Sequence, residues 1–437
     1  MIVEPLELEV IAAVADPSDE VRIVDMILEK KPFAGFIREF NPDVFCVTGY
    51  ITHIPQIIDY CRKAKEINPD IITVAGGVHI EKCPEDCDDE AVDYRIIRNA
   101  TRLFPRLLDF IRNGKTGDLP PGVLGKNQVA DPAKLPAYDF YFPVPRRNLT
   151  QAYRKHYFYV FHDRVALLKT SFGCPYHCNF CYCRKITDDN YHERPMDEVM
   201  EELEQISEKE IYIIDDDFLF SPKRVREFIT ELEKRNLKKR FLVYGRADFI
   251  TSNPGIIKDF RKNGLRTIII GLESFNDNEL EGYNKKLLAQ VNKNALQILN
   301  DNKVDCYAAI ILSPSWDRTD FLNLQKEIKN LKLRFLNLQP LTPLPLTGIE
   351  VADDSLVVDR RDYPLWDLAH VTIKPAKMGL PEYYALIMQT YMLTLFRWSN
   401  LYHHSRYPLH LHWRMIKGVA KVFRQYRSIY KASQNYA

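Results

Sequence analysis

No stretch of this 437-residue chain has the long uncharged apolar run of a membrane span. An excess of one charge is absent too: 60 Lys and Arg face 59 Asp and Glu, and a formal net charge of +1 gives no electrostatic case for nucleic acid as a partner. The start, Met1-Ile2-Val3-Glu4-Pro5, lacks the basic n-region and apolar core of an export signal, so a cytoplasmic protein is expected. A disulfide framework is equally out of place, because the nine cysteines are odd in number and the chain is long. What is present is a 46% apolar composition, ample for packed cores, in a chain long enough for two or three domains. Tyrosine (24) and phenylalanine (23) are plentiful, which suits apolar cavities and ordinary core packing alike.

The most informative run is Ser-Phe-Gly-Cys-Pro-Tyr-His-Cys-Asn-Phe-Cys, with Cys174, Cys178 and Cys181 spaced C-x3-C-x2-C after the apolar stretch Val165-Ala166-Leu167-Leu168. A structural zinc site wants four closed ligands, usually two separated C-x2-C pairs; here Cys183, His177 and His192 are the available additions. Three thiols on one Gly/Pro-flanked loop are not how cores use cysteine. Three thiolates on a tight loop can hold three irons of a [4Fe–4S] cluster and leave the fourth iron open to a ligand that is not protein.

This loop resembles the cluster motif of the radical S-adenosylmethionine (SAM) superfamily, C-x3-C-x-aromatic-C, with Phe180 at the aromatic position that packs beside adenine in that family. The resemblance implies that the open iron binds the amino and carboxylate groups of SAM. Its reduction, by a flavodoxin or ferredoxin, yields a 5′-deoxyadenosyl radical that abstracts hydrogen from an unactivated carbon. An oxygen-sensitive cluster fits an anaerobic setting.

The chain reads as α/β throughout. Residues 1–115 alternate strand and helix: a first helix over Pro5–Val14, strands at Val21–Asp25, Val44–Gly49 and Ile71–Gly77, and helices at Phe33–Phe40 and Pro55–Ile67. This rhythm predicts a Rossmann-like parallel sheet with ligand loops at the carboxyl ends of its strands. Asp43 to Tyr50, the turn Gly76-Gly77-Val78-His79 and Pro84-Glu85-Asp86 resemble the cobalamin-binding domain that precedes many radical SAM domains. Two departures count against cobalamin itself and leave open a degenerate domain kept for packing. The chain begins at or within the first strand, and Arg98-Asn99 stands where relatives have a glycine turn, so that bulk would crowd a corrin. The Asp-x-His-x-x-Gly pattern of a lower axial histidine is also missing. Cys83 and Cys87, without a third partner, read as ordinary cysteines.

Residues 116–164, rich in proline and aromatics, read as an ordered connector. Residues 165–347 carry six βα units, with strands expected at Val165–Thr170, Glu210–Ile214, Phe241–Gly245, Thr267–Gly271, Asp305–Ile311 and Arg334–Gln339. Six units agree with the open (β/α)6 partial barrel of the resembled superfamily. Residues 348–437 read as a mainly helical, substrate-covering region, helical over Pro381–Ser399 and Trp413–Tyr430.

Polar turns follow the strands where a barrel binds ligands. By resemblance, Asp215, Asp216 and Asp217 are placed for the SAM amino group, although an acidic run can equally be a solvated turn or a cap. Arg246 has the fork to take the SAM carboxylate bidentately. Glu273 and Ser274 could bond the amino group or the ribose hydroxyls. Lys285 and Lys286 read as a solvated charge pair in preference to cations that approach an anionic substrate. The loop Gln339 to Pro345 resembles that of the anaerobic Mg-protoporphyrin cyclase group and could wall the substrate cavity. His403, His404, His410, His412 and Trp413 read either as a helix junction or as the cavity of a large flat molecule. The resemblance extends to enzymes that tailor (bacterio)chlorophyllide side chains, so the expectation is oxidation of a hydrophobic, tetrapyrrole-type substrate. A cobalamin-dependent C-methyltransferase is the alternative, and a non-catalytic iron–sulfur sensor or scaffold is the third reading.

Overall fold

The computed structural model describes residues 1–398, 400 and 409–433. The N-terminal unit holds helices α1 (Leu6–Ala12), α2 (Phe33–Phe40), α3 (Ile54–Ile67), α4 (Val78–Lys82) and α5 (Ala100–Arg112) around strands β1 (Val44–Thr48), β2 (Ile72–Gly76) and β3 (Tyr94–Ile96). These strands pair in parallel in that order, and β4 (Val123–Leu124) joins β3 antiparallel. The sheet therefore borrows a strand from beyond residue 115. The helix expected at Pro5–Val14 is α1. Val21–Asp25, expected to be a strand, is not one: Ile23 and Asp25 are buried, but the segment pairs with no sheet. An extended apolar pattern marks burial and does not by itself supply a ladder partner.

The connector runs through short 3₁₀ turns and two short strands, β5 (Phe158–Tyr159) and β6 (His162–Asp163), and it bonds to both sides. Asn99 donates to the Ala137 carbonyl at 2.8 Å and accepts from the Asp139 amide at 2.8 Å. On the other side, Arg147 binds Glu4 and, at 2.6 Å, Glu202, while Arg154 lies 2.8 Å from Glu4. Glu202 also takes Arg194 at 2.7 Å. Glu4, Glu9 and Glu202 are almost wholly buried, and burial pushes the Glu9 carboxyl up to about 7. This ionic knot ties the start of the chain to a helix of the second sheet.

That sheet has six parallel strands in the order β14-β13-β12-β11-β10-β7: β7 (Val165–Leu168), β10 (Glu210–Ile213), β11 (Arg240–Gly245), β12 (Leu265–Glu273), β13 (Asp305–Leu312) and β14 (Phe335–Pro340). All six expected strands are present, with ends moved by one or two residues. Helices α7 (Met196–Gln205), α8 (Pro222–Lys234), α10 (Pro254–Lys262), α12 (Ala289–Asp301) and α13 (Arg318–Asn330) cover the outer face, burying Val199, Phe228, Phe260, Leu296 and Phe321 against Ile211, Val243, Ile268 and Ile310. The inner face is filled by Leu167, Tyr212, Leu242 and Ile269 against Leu6, Val10 and Tyr157. Neighbouring strands progress in one direction without closing, as an open barrel requires, and the carboxyl ends stay free for loops. Two further helices, α14 (Leu380–Leu395) and α15 (Leu409–Ser433), pack on each other and on this core through Tyr384, Tyr391 and Tyr426.

Candidate active site

The cysteine loop hangs from a two-stranded clasp, β8 (Ser171–Phe172) paired antiparallel with β9 (His192–Glu193). Gly173 enters the loop at φ +73°, and a Cβ there would meet the Asn190 carbonyl oxygen at 2.1 Å. Only glycine fits that turn. Helix α6 (Cys183–Ile186) leaves the loop on its far side. Cys174, Cys178, Cys181 and Cys183 are all free and half-buried. Among the described residues the one group of metal-binding atoms within 4.8 Å of one another is His79, Cys83 and Asp86, so the three loop thiols are spread wider than one chelated ion needs. The His79, Cys83 and Asp86 group is otherwise occupied: Asp86 bonds His79 at 2.7 Å and accepts from the Tyr363 hydroxyl at 2.8 Å.

Cations gather on one side of the loop. Arg246 Nη1 lies 3.9 Å from Cys178 Sγ, and the guanidinium sits 3.7 Å over the Tyr176 ring. Burial raises the Cys178 thiol, while Lys285 and Arg246 oppose that rise. Arg246 differs from expectation. Its fork is taken by Asp248, through Nε at 3.2 Å and Nη2 at 3.1 Å, and Nη2 also donates to the Lys285 carbonyl at 3.0 Å. A guanidinium so engaged is a fixed charge beside a thiolate, not a free bidentate clamp.

Lys285 also departs from the solvated pair expected. Its ammonium is buried, bonds Glu273 Oε1 at 2.9 Å and lies 5.8 Å from the centre of the Phe180 ring. Phe180 packs edge-on against Tyr283 at 5.7 Å. Glu273 ends its strand at φ +60°, a left-handed turn that a non-glycine residue adopts only when its surroundings hold it. Ser274 is buried, accepts from the Asn276 amide at 3.0 Å and donates to Glu279, so it braces the turn.

The three aspartates separate into different roles. Asp215 accepts from the Thr170 amide at 2.6 Å, the Thr170 hydroxyl and the Ser171 hydroxyl at 2.7 Å. It fastens the base of the cysteine loop, with three of its roughly four acceptor positions already used inside the protein. Asp216 is half-buried and in electrostatic reach of Cys183 and Tyr50. Asp217 is 3% exposed, and neither oxygen has a hydrogen-bond partner of good geometry. Burial pushes its carboxyl up to about 7 against the pull of Arg246 and Lys285. An unpartnered buried carboxylate facing two cations is a strong, unmet demand for a donor.

The N-terminal loops face the same place. Lys82 donates to Asp188 at 2.9 Å, and Arg98 binds the other oxygen of that carboxylate. Arg98 and Asn99 are thus drawn onto the cysteine-loop region and the connector and do not project into the turn. Above β2, a Cβ on Gly76 would meet nothing within 4 Å, and Gly77 adopts φ +111°. Tyr50, after β1, is exposed. On the barrel's far side the Gly348 amide donates to the Asn179 carbonyl at 2.7 Å, which ties the segment after the Pro-rich loop to the cysteine loop. His403 and His404 lie outside the described residues, and Trp413 is exposed rather than lining a cavity.

Residues 1–108 match the B12 binding domain family, and residues 168–328 match the Radical SAM superfamily. The chain is 25% identical to the hopanoid C-3 methylase of Methylococcus capsulatus, over 96% of this chain and 79% of that protein. It is also 25% identical to the anaerobic magnesium-protoporphyrin IX monomethyl ester cyclase of Rubrivivax gelatinosus, over 81% of this chain and 66% of the cyclase. Most other curated relatives carry names of methylases or methyltransferases. The radical SAM methyltransferase TsrM from Kitasatospora setae shares the fold, with a TM-score of 0.69 at 16% identity over 90% of this chain and 86% of TsrM. The cysteine loop, the open six-stranded barrel and the preceding parallel sheet thus belong to a radical SAM enzyme with an N-terminal B12 binding domain.

Proposed function

We propose that the protein is a cobalamin-dependent radical SAM methyltransferase acting on an unactivated carbon of a large hydrophobic, ring-containing small molecule. The observation that carries this reading is the convergence on Asp188: Lys82 and Arg98, at the ligand ends of the N-terminal unit, both hold the carboxylate that follows the cysteine loop. A group resting on the N-terminal sheet therefore faces the cluster loop. The open space over Gly76, the exposed Tyr50 ring and the retracted Arg98-Asn99 pair fit a corrin. His79, in the turn after these glycines, is held by Asp86 through Nε2 at 2.7 Å.

Cys174, Cys178 and Cys181 would hold a cubane whose chemistry is one-electron reduction of SAM, and the N-terminal sheet would hold a cobalamin whose chemistry is methyl carriage. The protein's own part is orientation. Asp217 accepts from the SAM amino group, Lys285 answers its carboxylate, and Phe180 offers a ring face to the adenine. Glu273 and Asp216 are the remaining polar groups for ribose hydroxyls. Arg246 keeps positive charge beside Cys178. The relatives named for hopanoids, protoporphyrin and bacteriochlorophyllide support a bulky hydrophobic ring system as substrate.

The test uses anaerobically reconstituted protein with SAM, reduced flavodoxin and a panel of hopanoids and chlorophyllides. Methyl transfer predicts stoichiometric cobalamin uptake and a methylated product accompanied by both S-adenosylhomocysteine and 5′-deoxyadenosine. An oxidised, unmethylated product formed without cobalamin would return the protein to the oxidative reading.

A further inference from the structure

Charge is unevenly distributed along this nearly neutral chain. From Tyr383 to Ala437 it holds eight of its 60 Lys and Arg and none of its 59 Asp and Glu. These 55 residues therefore carry a formal +8, and the other 382 carry −7. Their second helix, α15, is two-faced. Leu411 and Tyr426 are buried, and Ile429 and Tyr430 pack against the barrel's outer core. Trp413, Ile416, Lys417, Arg424, Arg427 and Lys431 recur at intervals of three, four or seven residues and share another face, where all six are exposed. No carboxylate pairs with these four cations among the described residues.

Two of the chain's four tryptophans, Trp316 and Trp366, are buried, as their size dictates. The other two are Trp398, 86% exposed just after α14, and Trp413, 65% exposed. Phe396 and Ile416 beside them in sequence are also more than half exposed. Large apolar groups left in water beside unpaired cations lack a partner that is apolar inside and anionic outside. A lipid bilayer bearing acidic headgroups has both properties: tryptophan settles at the headgroup boundary and the cations meet phosphate.

We propose that the exposed face of α15, with Trp398, is a docking surface for an anionic membrane leaflet, on which the protein rests without crossing it. No described helix is long and apolar enough to span a bilayer. The proposal is independent of the methyl-transfer reading, since none of these residues touches the cofactor site.

The experiment is co-sedimentation of the full chain with phosphatidylcholine vesicles, with and without about one third phosphatidylglycerol, at low and high salt. Binding is expected to the anionic vesicles alone, weakening with salt, with a blue shift of tryptophan emission. The variant Lys417→Gln/Arg424→Gln/Arg427→Gln/Lys431→Gln should bind at least about a hundredfold more weakly, and Trp398→Phe/Trp413→Phe should lose most of the blue shift. Replacing Lys223 and Lys234 of α8 by Gln should change nothing, and unaltered circular dichroism establishes that each variant is folded. Equal binding to neutral vesicles, or none to anionic ones, would overturn the proposal. So would tighter, equally salt-sensitive retention on duplex DNA, or a stable dimer in which Trp413 is shielded from acrylamide.

Discussion

Lys285 Nζ donates to Glu273 Oε1 at 2.9 Å, with both side chains withdrawn from solvent and the lysine close enough to Cys178 to hold down its thiol. Burial is the largest single influence and disfavours the ammonium, but the charge of Glu273, the nearby Cys178 and the hydrogen bond to Glu273 together outweigh it and the lysine's pKa is raised. Such a pair is costly to break from one side, because the survivor is left charged and dry. Lys285→Met is expected to destabilise the protein by about 3–5 kcal/mol in thermal or chemical unfolding. Adding Glu273→Gln should restore much of that stability and none of the SAM affinity. Restored affinity in the double variant would show the pair to be a structural brace alone.

Asp217 gives a pH dependence of definite sign. Its folded pKa is raised by burial to about 7 from 3.8. In the ligand-free protein its contribution to stability is therefore full below pH 4 and is lost as pH rises through 7. SAM reverses the preference, because a donated amino N–H and the nearby sulfonium charge favour the ionised carboxylate, so SAM affinity should rise across the same window. Asp217→Asn should flatten both profiles and weaken SAM at least about tenfold, the loss of one charge-assisted bond. Melting temperatures and calorimetric titrations between about pH 5.5 and 8 decide it.

Asp215, two residues earlier, should behave differently. Asp215→Ala strands the Thr170 amide and two hydroxyls in the interior and is expected to cost about 3 kcal/mol. Iron content per folded molecule falls with it, since these bonds set the start of the cysteine loop. A variant with normal stability and selectively weakened SAM binding would instead make Asp215 a ligand.

Gly173→Ala tests the loop's entry. The added methyl would overlap the Asn190 carbonyl at 2.1 Å and the Thr187 hydroxyl at 2.5 Å in a left-handed conformation. A cluster-depleted protein with native circular dichroism is expected; full iron loading would show that the loop can move aside.

The sequence made the cysteine loop and the six-stranded order readable because both are local: a three-residue spacing, and βα units that pair with their successors. Sorting Asp215 from Asp217 was not local. The difference lies in hydrogen bonds to Thr170 and Ser171, some 45 residues away. Lys285 looked like surface charge beside Lys286 because adjacent lysines usually are, and only the left-handed turn at Glu273 brings the two together. Val21–Asp25 had the residues of a strand, but pairing depends on what lies alongside. Arg98-Asn99 looked like an obstruction because side-chain direction is set by Asp188 and the connector, which spacing does not reveal.

The buried knot of Glu4, Glu9, Arg147, Arg154 and Glu202 bears on how this architecture can be rearranged. A cut between the two sheets at any point before residue 147 separates two interior acids, Glu4 and Glu9, from the guanidiniums that neutralise them. Isolated or transplanted N-terminal halves would carry Glu4 and Glu9 without counter-ions, and chimeras between relatives should be soluble only when the crossover falls after Arg154. The two lobes look modular along the chain, yet they are electrostatically a single inherited piece.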